Sequence, residues 1–129
     1  MSCDTQNMRY DLSMWQGATF ALAINVRDSK SANINLASYS ASMQIRESYD
    51  STTITETLTS ANGEIVLDSA GIMSLELSAA RTANIFVDLT SSSIPPKNIY
   101  VYDLDLTDAN SKTTKLLFGK VDVYGEVTR

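Results

Sequence analysis

Apolar and polar residues alternate along most of the chain. The plainest run is Phe20, Leu22, Ile24 and Val26, with Thr19, Ala21, Ala23 and Asn25 between them. Successive side chains on a strand point to opposite faces, so this spacing predicts a strand that buries one face only. Met8, Tyr10, Leu12 and Met14 repeat the pattern more weakly upstream, while Ala41, Met43 and Ile45 repeat it downstream. The β-branched stretch from Thr53 to Thr59 predicts another strand, with Ile54 and Leu58 as its apolar members. Short strands are predicted at Ile65 to Leu67 and Met73 to Leu77. Tyr100, Tyr102, Leu104 and Leu106 then alternate with Val101, Asp103, Asp105 and Thr107. The last run, Lys115 to Val127, places Leu117, Val121 and Val123 on one face around Gly119.

Turn-forming residues separate these runs: Asp28 to Asn33, Ala61-Asn62-Gly63, Ser69-Ala70-Gly71 and Asp108 to Ser111. Asn62-Gly63 is the strongest hairpin signal among them. One segment reads as helix. Ser78 offers an N-cap to Ala79-Ala80-Arg81-Thr82-Ala83-Asn84, which predicts one or two turns crossing between sheets. Ser91-Ser92-Ser93-Ile94-Pro95-Pro96 predicts a connecting loop, since a proline has no N–H for a ladder. About seven or eight short strands with one helical crossover predict an all-β fold, an antiparallel Ig-like β-sandwich, with a small barrel as the alternative. Residues 1–16 read as an N-terminal arm or edge strand and residues 17–129 as the sandwich domain.

Composition narrows the chemistry. The chain has 129 residues, with 10 basic and 15 acidic side chains and a formal charge of −5. That balance argues against binding to nucleic acid or to an anionic membrane surface, both of which need a basic face. Histidine is absent, which removes the commonest general base and zinc ligand. The single cysteine, Cys3, has no partner for an internal disulfide and no basic neighbour to activate it. The N-terminal residues lack the basic and apolar regions of a secretory signal, and no run approaches the length of a membrane span. The glycines are scattered singly, so no phosphate-cradling loop is present. No catalytic, cofactor-binding or metal-binding residue is assigned, and the chain is expected not to be an enzyme.

Two clusters merit weighing. Asp103 and Asp105 share a strand face and Asp108 lies in the following turn, a grouping open to calcium but also to a solvated acidic strand. Trp15, Tyr39, Tyr49, Tyr100 and Tyr124 could form a stacking platform for a glycan, or could serve as core and corner residues. Trp15 lies in the weakly patterned N-terminal segment beside Gly17, which favours a contact with a partner.

Several blocks, read in order, carry a family resemblance. They are Gly17-Ala18-Thr19-Phe20, Ile34 to Arg46, Gly63-Glu64-Ile65, Leu77 to Ala83, Tyr102 to Leu106, Leu116 to Val121 and Glu126 to Arg129. Together they span residues 17–129, and the chain resembles small structural proteins of tailed bacteriophages and prophages encoded near tail and baseplate components. It is also similar to the β-sandwich at the N-terminus of baseplate upper proteins. It departs from that group at Ala18, where an acidic or polar residue is usual, and in its longer Ser-Pro loop before Tyr100. The resemblance implies a non-enzymatic virion component of the tail, baseplate or neck, made in the host bacterial cytoplasm and present as a multi-copy homo-oligomer among other virion proteins. It carries no catalytic motif and transfers no site residue. The N-terminal segment with Trp15 and the C-terminal strand ending at Arg129 are then the expected partner contacts, by addition to sheet edges. A carbohydrate-binding module and a capsid decoration protein are the alternatives.

Overall fold

The computed structural model describes residues 2–3, 8–27, 30 and 32–127. Ten strands and one helix follow in chain order: β1 (Ser2–Cys3), β2 (Met8–Arg9), β3 (Leu12–Trp15), β4 (Phe20–Val26), β5 (Ser40–Arg46), β6 (Glu56–Thr59), β7 (Ile65–Leu67), β8 (Ile72–Leu77), α1 (Ala79–Ala83), β9 (Lys97–Thr107) and β10 (Thr113–Tyr124). A four-stranded sheet has the order β1-β4-β8-β7. A six-stranded sheet has the order β2-β10-β9-β5-β6, with β3 also paired to β10. Among the described residues no strand of one sheet is hydrogen-bonded to a strand of the other, so the sheets form a sandwich and not a closed barrel.

The alternating rows meet between the sheets. Ile24, Val26, Met73, Leu75 and Leu77 from the small sheet are buried against Met43, Ile45, Leu58, Leu104 and Val121 from the large one. Leu36, Ile85 and Val87, in the connections, close the core at its ends. Each fully buried aliphatic side chain is worth about 1.5–3 kcal/mol. On β10 a bulge between Lys115 and Leu117 lets both Leu116 and Leu117 turn inward, which the strict alternation does not predict.

Three features depart from the sequence reading. The pairing is mixed and not purely antiparallel: β1 runs parallel to β4, and β2 and β3 run parallel to β10. Asn62-Gly63 is not a hairpin turn. β6 pairs with β5 and β7 with β8, so this turn carries the chain from one sheet to the other while Leu58 and Ile65 face the core from opposite sides. Gly63 adopts φ +86°, and Asn62 Oδ1 accepts the Glu64 N–H at 3.1 Å. The strand expected from Thr53 starts only at Glu56, and Ile54 is exposed. In the segment read as an arm or edge strand, β2 and β3 pair along β10, and Leu12 and Met14 are buried in the core.

That segment is fixed by close contacts with β10. Between β2 and β3 the chain passes over Gly119, where Tyr10 N–H donates to the Phe118 carbonyl at 2.8 Å. Lys120 N–H donates to Asp11 Oδ1 at 3.0 Å, and the Tyr102 hydroxyl donates to the Tyr10 carbonyl at 2.5 Å. A Cβ at position 119 would lie 2.7 Å from both the Tyr10 carbonyl oxygen and Asp11 Oδ1, so only glycine allows this approach. The Asp11 carboxyl is held below its usual range, first by the Lys120 N–H and then by Arg9.

α1 is the expected crossover. Ser78 caps it, its side chain accepting from Arg81 N–H at 3.3 Å. Buried Thr82 donates through Oγ1 to the Ala18 carbonyl at 2.9 Å. The Arg81 guanidinium reaches the carboxylates of Glu56 and Glu64 and donates to the Thr57 carbonyl at 2.8 Å. It thereby joins the helix to β6 and to the corner before β7.

Candidate functional site

The parallel pairing of β3 with β10 brings Trp15 beside Tyr124, and the antiparallel pairing of β9 with β10 brings Lys97 to the other side of Tyr124. All three lie in one row on the outer face of the large sheet. The rings of Trp15 and Tyr124 stack, with centroids 4.8 Å apart and planes inclined by 26°. Lys97 Nζ lies 5.9 Å from the Tyr124 centroid and 3.5 Å from Asp122 Oδ2. Stacking orients the indole but leaves it 49% exposed.

Beyond this row, where β3 and β10 end and β9 begins, a recess of about 540 Å³ opens. Trp15, Leu89, Ile94, Pro95, Pro96 and Val127 supply its apolar walls, and among the described residues Glu126 is the one charged side chain that lines it. Its shape follows from local hydrogen bonds. Gly125 N–H donates to the Pro96 carbonyl at 2.8 Å, which fixes the C-terminal segment against the Ser-Pro loop. Gln16 N–H donates to the Tyr124 carbonyl at 2.9 Å, and Gln16 Nε2 donates to the Ile85 carbonyl at 2.7 Å. Gln16 Oε1 accepts the Glu126 N–H at 3.4 Å. A single side chain thus joins the end of β3, the segment after α1 and the segment after β10.

Ile94 is 97% exposed and Val127 93% exposed at the mouth of the recess. Phe86 and Ile99 are exposed too, at a separate cleft that Glu47, Lys97 and Asn98 also line. Isolated exposed apolar residues are ordinary, but a contiguous set around a concavity marks an interaction surface.

Trp15 therefore sits at the recess. Arg129, the other expected contact, lies outside the described residues. The five aromatic residues do not form one platform. Tyr100 is buried, and its hydroxyl donates to the Phe86 carbonyl; burial pushes the pKa of that hydroxyl up, which keeps it a donor. Tyr39 packs half-buried against the core, and Tyr49 is exposed beside Arg46 and Val101. Only Trp15 and Tyr124 meet. Sequence reasoning missed Gln16, Ile94 and Val127, because the contacts that unite them join segments distant in the chain.

The acidic cluster is internally matched. Lys115 Nζ lies 3.0 Å from Asp103 Oδ2 and 2.8 Å from Asp105 Oδ1. These two carboxylates raise the Lys115 pKa, Asp105 most strongly. Asp108 Oδ1 instead accepts the N–H groups of Asn110 and Lys112, each at 2.9 Å, and so closes the β9–β10 turn. Among the described residues no group of three or more His, Cys, Asp or Glu side chains is placed to hold a metal ion. No helix among them is long and apolar enough to cross a membrane. The backbone of Cys3 lies in β1, whereas its side chain falls outside the description. Compared with known proteins, the chain matches no family model and no curated sequence.

Proposed function

We propose that this protein is a non-enzymatic structural component of a bacteriophage virion, a joint in the tail, baseplate or neck that holds larger pieces together. The observation that carries this reading is the apolar recess around Trp15, rimmed by Ile94 and Val127. Such a surface costs solubility unless a protein partner covers it, and aromatic anchors set in apolar pockets dominate protein interfaces. Other virion proteins are its partners, and repeated copies follow the rotational symmetry of the particle. The sequence resemblance to tail and baseplate proteins points the same way.

A glycan-binding reading fits less well. Sugar recognition needs several polar groups converging beside the aromatic face, and among the described residues this recess offers one charged side chain, Glu126. A capsid decoration protein differs in copy number, hundreds per particle against tens.

Quantitative mass spectrometry of particles purified from the producing bacterium tests the reading. Stoichiometric polypeptide at tens of copies or fewer per particle is expected, and its absence from washed particles overturns the proposal. Trp15→Ala should fold, since the indole is half exposed, yet should be depleted from particles in competition with the natural chain.

A further inference from the structure

A second surface lies away from the recess, at the margin of the small sheet formed by β7. Its pairing with β8 fixes which backbone groups are used. Glu76 N–H donates to the Glu64 carbonyl at 2.9 Å and Asp68 N–H donates to the Ile72 carbonyl at 3.1 Å. In an antiparallel ladder bonded pairs alternate, so Val66 bonds toward β8 while the N–H and C=O groups of Ile65 and Leu67 point outward. Among the described residues nothing hydrogen-bonds to those four outward groups. They face a cleft of about 450 Å³ lined by Tyr39, Ser40, Ser60 and Ala61 together with β7 itself.

Sheet margins are ordinarily protected by lysine, proline or a bulge. At the far margin of the large sheet, Arg81 takes that part by bonding the Thr57 carbonyl. β7 is short, at three residues, but carries none of these three devices. Residues 60–76 contain no lysine, arginine or proline, and Val66 is 56% exposed.

Charge selects the occupant. Asp68 follows the strand and Glu76 stands exposed on β8 opposite its start, whereas Glu64, which precedes the strand, is already paired with Arg81. Two copies pairing antiparallel about Val66 would set Asp68 of one in the same cross-strand row as Glu76 of the other, and like charges brought into one row repel. We infer that the β7 margin accepts an extended, lysine- or arginine-bearing segment of a different protein, added as a fifth strand of the small sheet. The added strand exchanges backbone bonds with Ile65 and Leu67 and lays its basic side chains toward Asp68 and Glu76. This inference stands apart from the virion reading and from the Trp15 recess.

Nuclear magnetic resonance of the whole labelled protein, titrated with the synthetic peptide Thr-Lys-Val-Lys-Val-Lys-Thr, tests it. Binding of roughly millimolar strength is expected for so short a probe. The amides of Ile65 and Leu67 should shift and exchange more slowly, while that of Val66 keeps its rate. Val66→Lys, at an exposed position, should weaken binding at least about tenfold by repulsion. Equal binding by a peptide with glutamate in place of lysine, or by a proline-interrupted peptide of the same charge, overturns the inference. So do perturbations confined to other strands, no perturbation at several times the millimolar range, or a dimer of the natural protein that Val66→Lys dissociates.

Discussion

Arg81→Ala should be among the most damaging substitutions outside the core. The guanidinium holds three acceptors: the carboxylates of Glu56 and Glu64 and the Thr57 carbonyl. Its own side chain is 35% exposed, and those of Glu56 and Glu64 only 16% and 15%. Fully exposed ion pairs contribute about 0.2–1 kcal/mol. Breaking a fully buried pair costs about 3–5 kcal/mol, because the remaining charge keeps its desolvation without a partner. The arrangement here is intermediate, and truncation leaves two largely covered carboxylates and one carbonyl. A loss of about 2–3 kcal/mol follows, a large part of the 5–15 kcal/mol that stabilises a typical domain. At about 3–5 °C per kcal/mol for a chain of this size, the melting temperature should fall by about 6–15 °C. Urea unfolding followed by far-ultraviolet circular dichroism measures the loss, and a double-mutant cycle with Glu64→Gln isolates the coupling. A loss below about 0.5 kcal/mol, or no coupling in that cycle, would show that the cluster behaves as an ordinary surface ion pair.

Other expectations follow from single contacts. Gly119→Ala should cost about 1–3 kcal/mol by forcing Tyr10 and Asp11 away from β10, readable as a lower urea midpoint. The Asp11 carboxyl should titrate below the ordinary value of 3.8 in the folded protein. Its contribution to stability is therefore present above that value and lost as pH falls through the lower, folded-state midpoint. A carbon-detected titration placing Asp11 at or above 3.8 contradicts the described contacts with Lys120 and Arg9. Millimolar calcium should leave the melting temperature unchanged relative to a chelator, because Lys115 already matches Asp103 and Asp105 and Asp108 is engaged by its own turn.

The period-two signal made the sheets legible because it reports burial directly: Ile24, Met43, Leu104 and Val121 all face the core as their spacing requires. It carried no information about which strand pairs with which. Parallel pairing of β3 with β10 joins residues more than a hundred positions apart, and no turn chemistry announces it. Asn62-Gly63 misled for a related reason, since a positive φ serves a corner between sheets as well as a hairpin. At the recess, the sequence pointed to Trp15 through its weak context and to the Ser-Pro loop as a break in the ladders. Their meeting depends on Gln16 and on the Gly125–Pro96 bond, long-range contacts with no local signature.

The most direct test of the joint-like role is a reconstruction of the intact particle by electron cryomicroscopy. The account predicts this sandwich in the tail, baseplate or neck, with Trp15, Ile94 and Val127 covered by a neighbouring protein. A particle whose density has no place for this fold, or one that leaves those three side chains facing solvent, contradicts it.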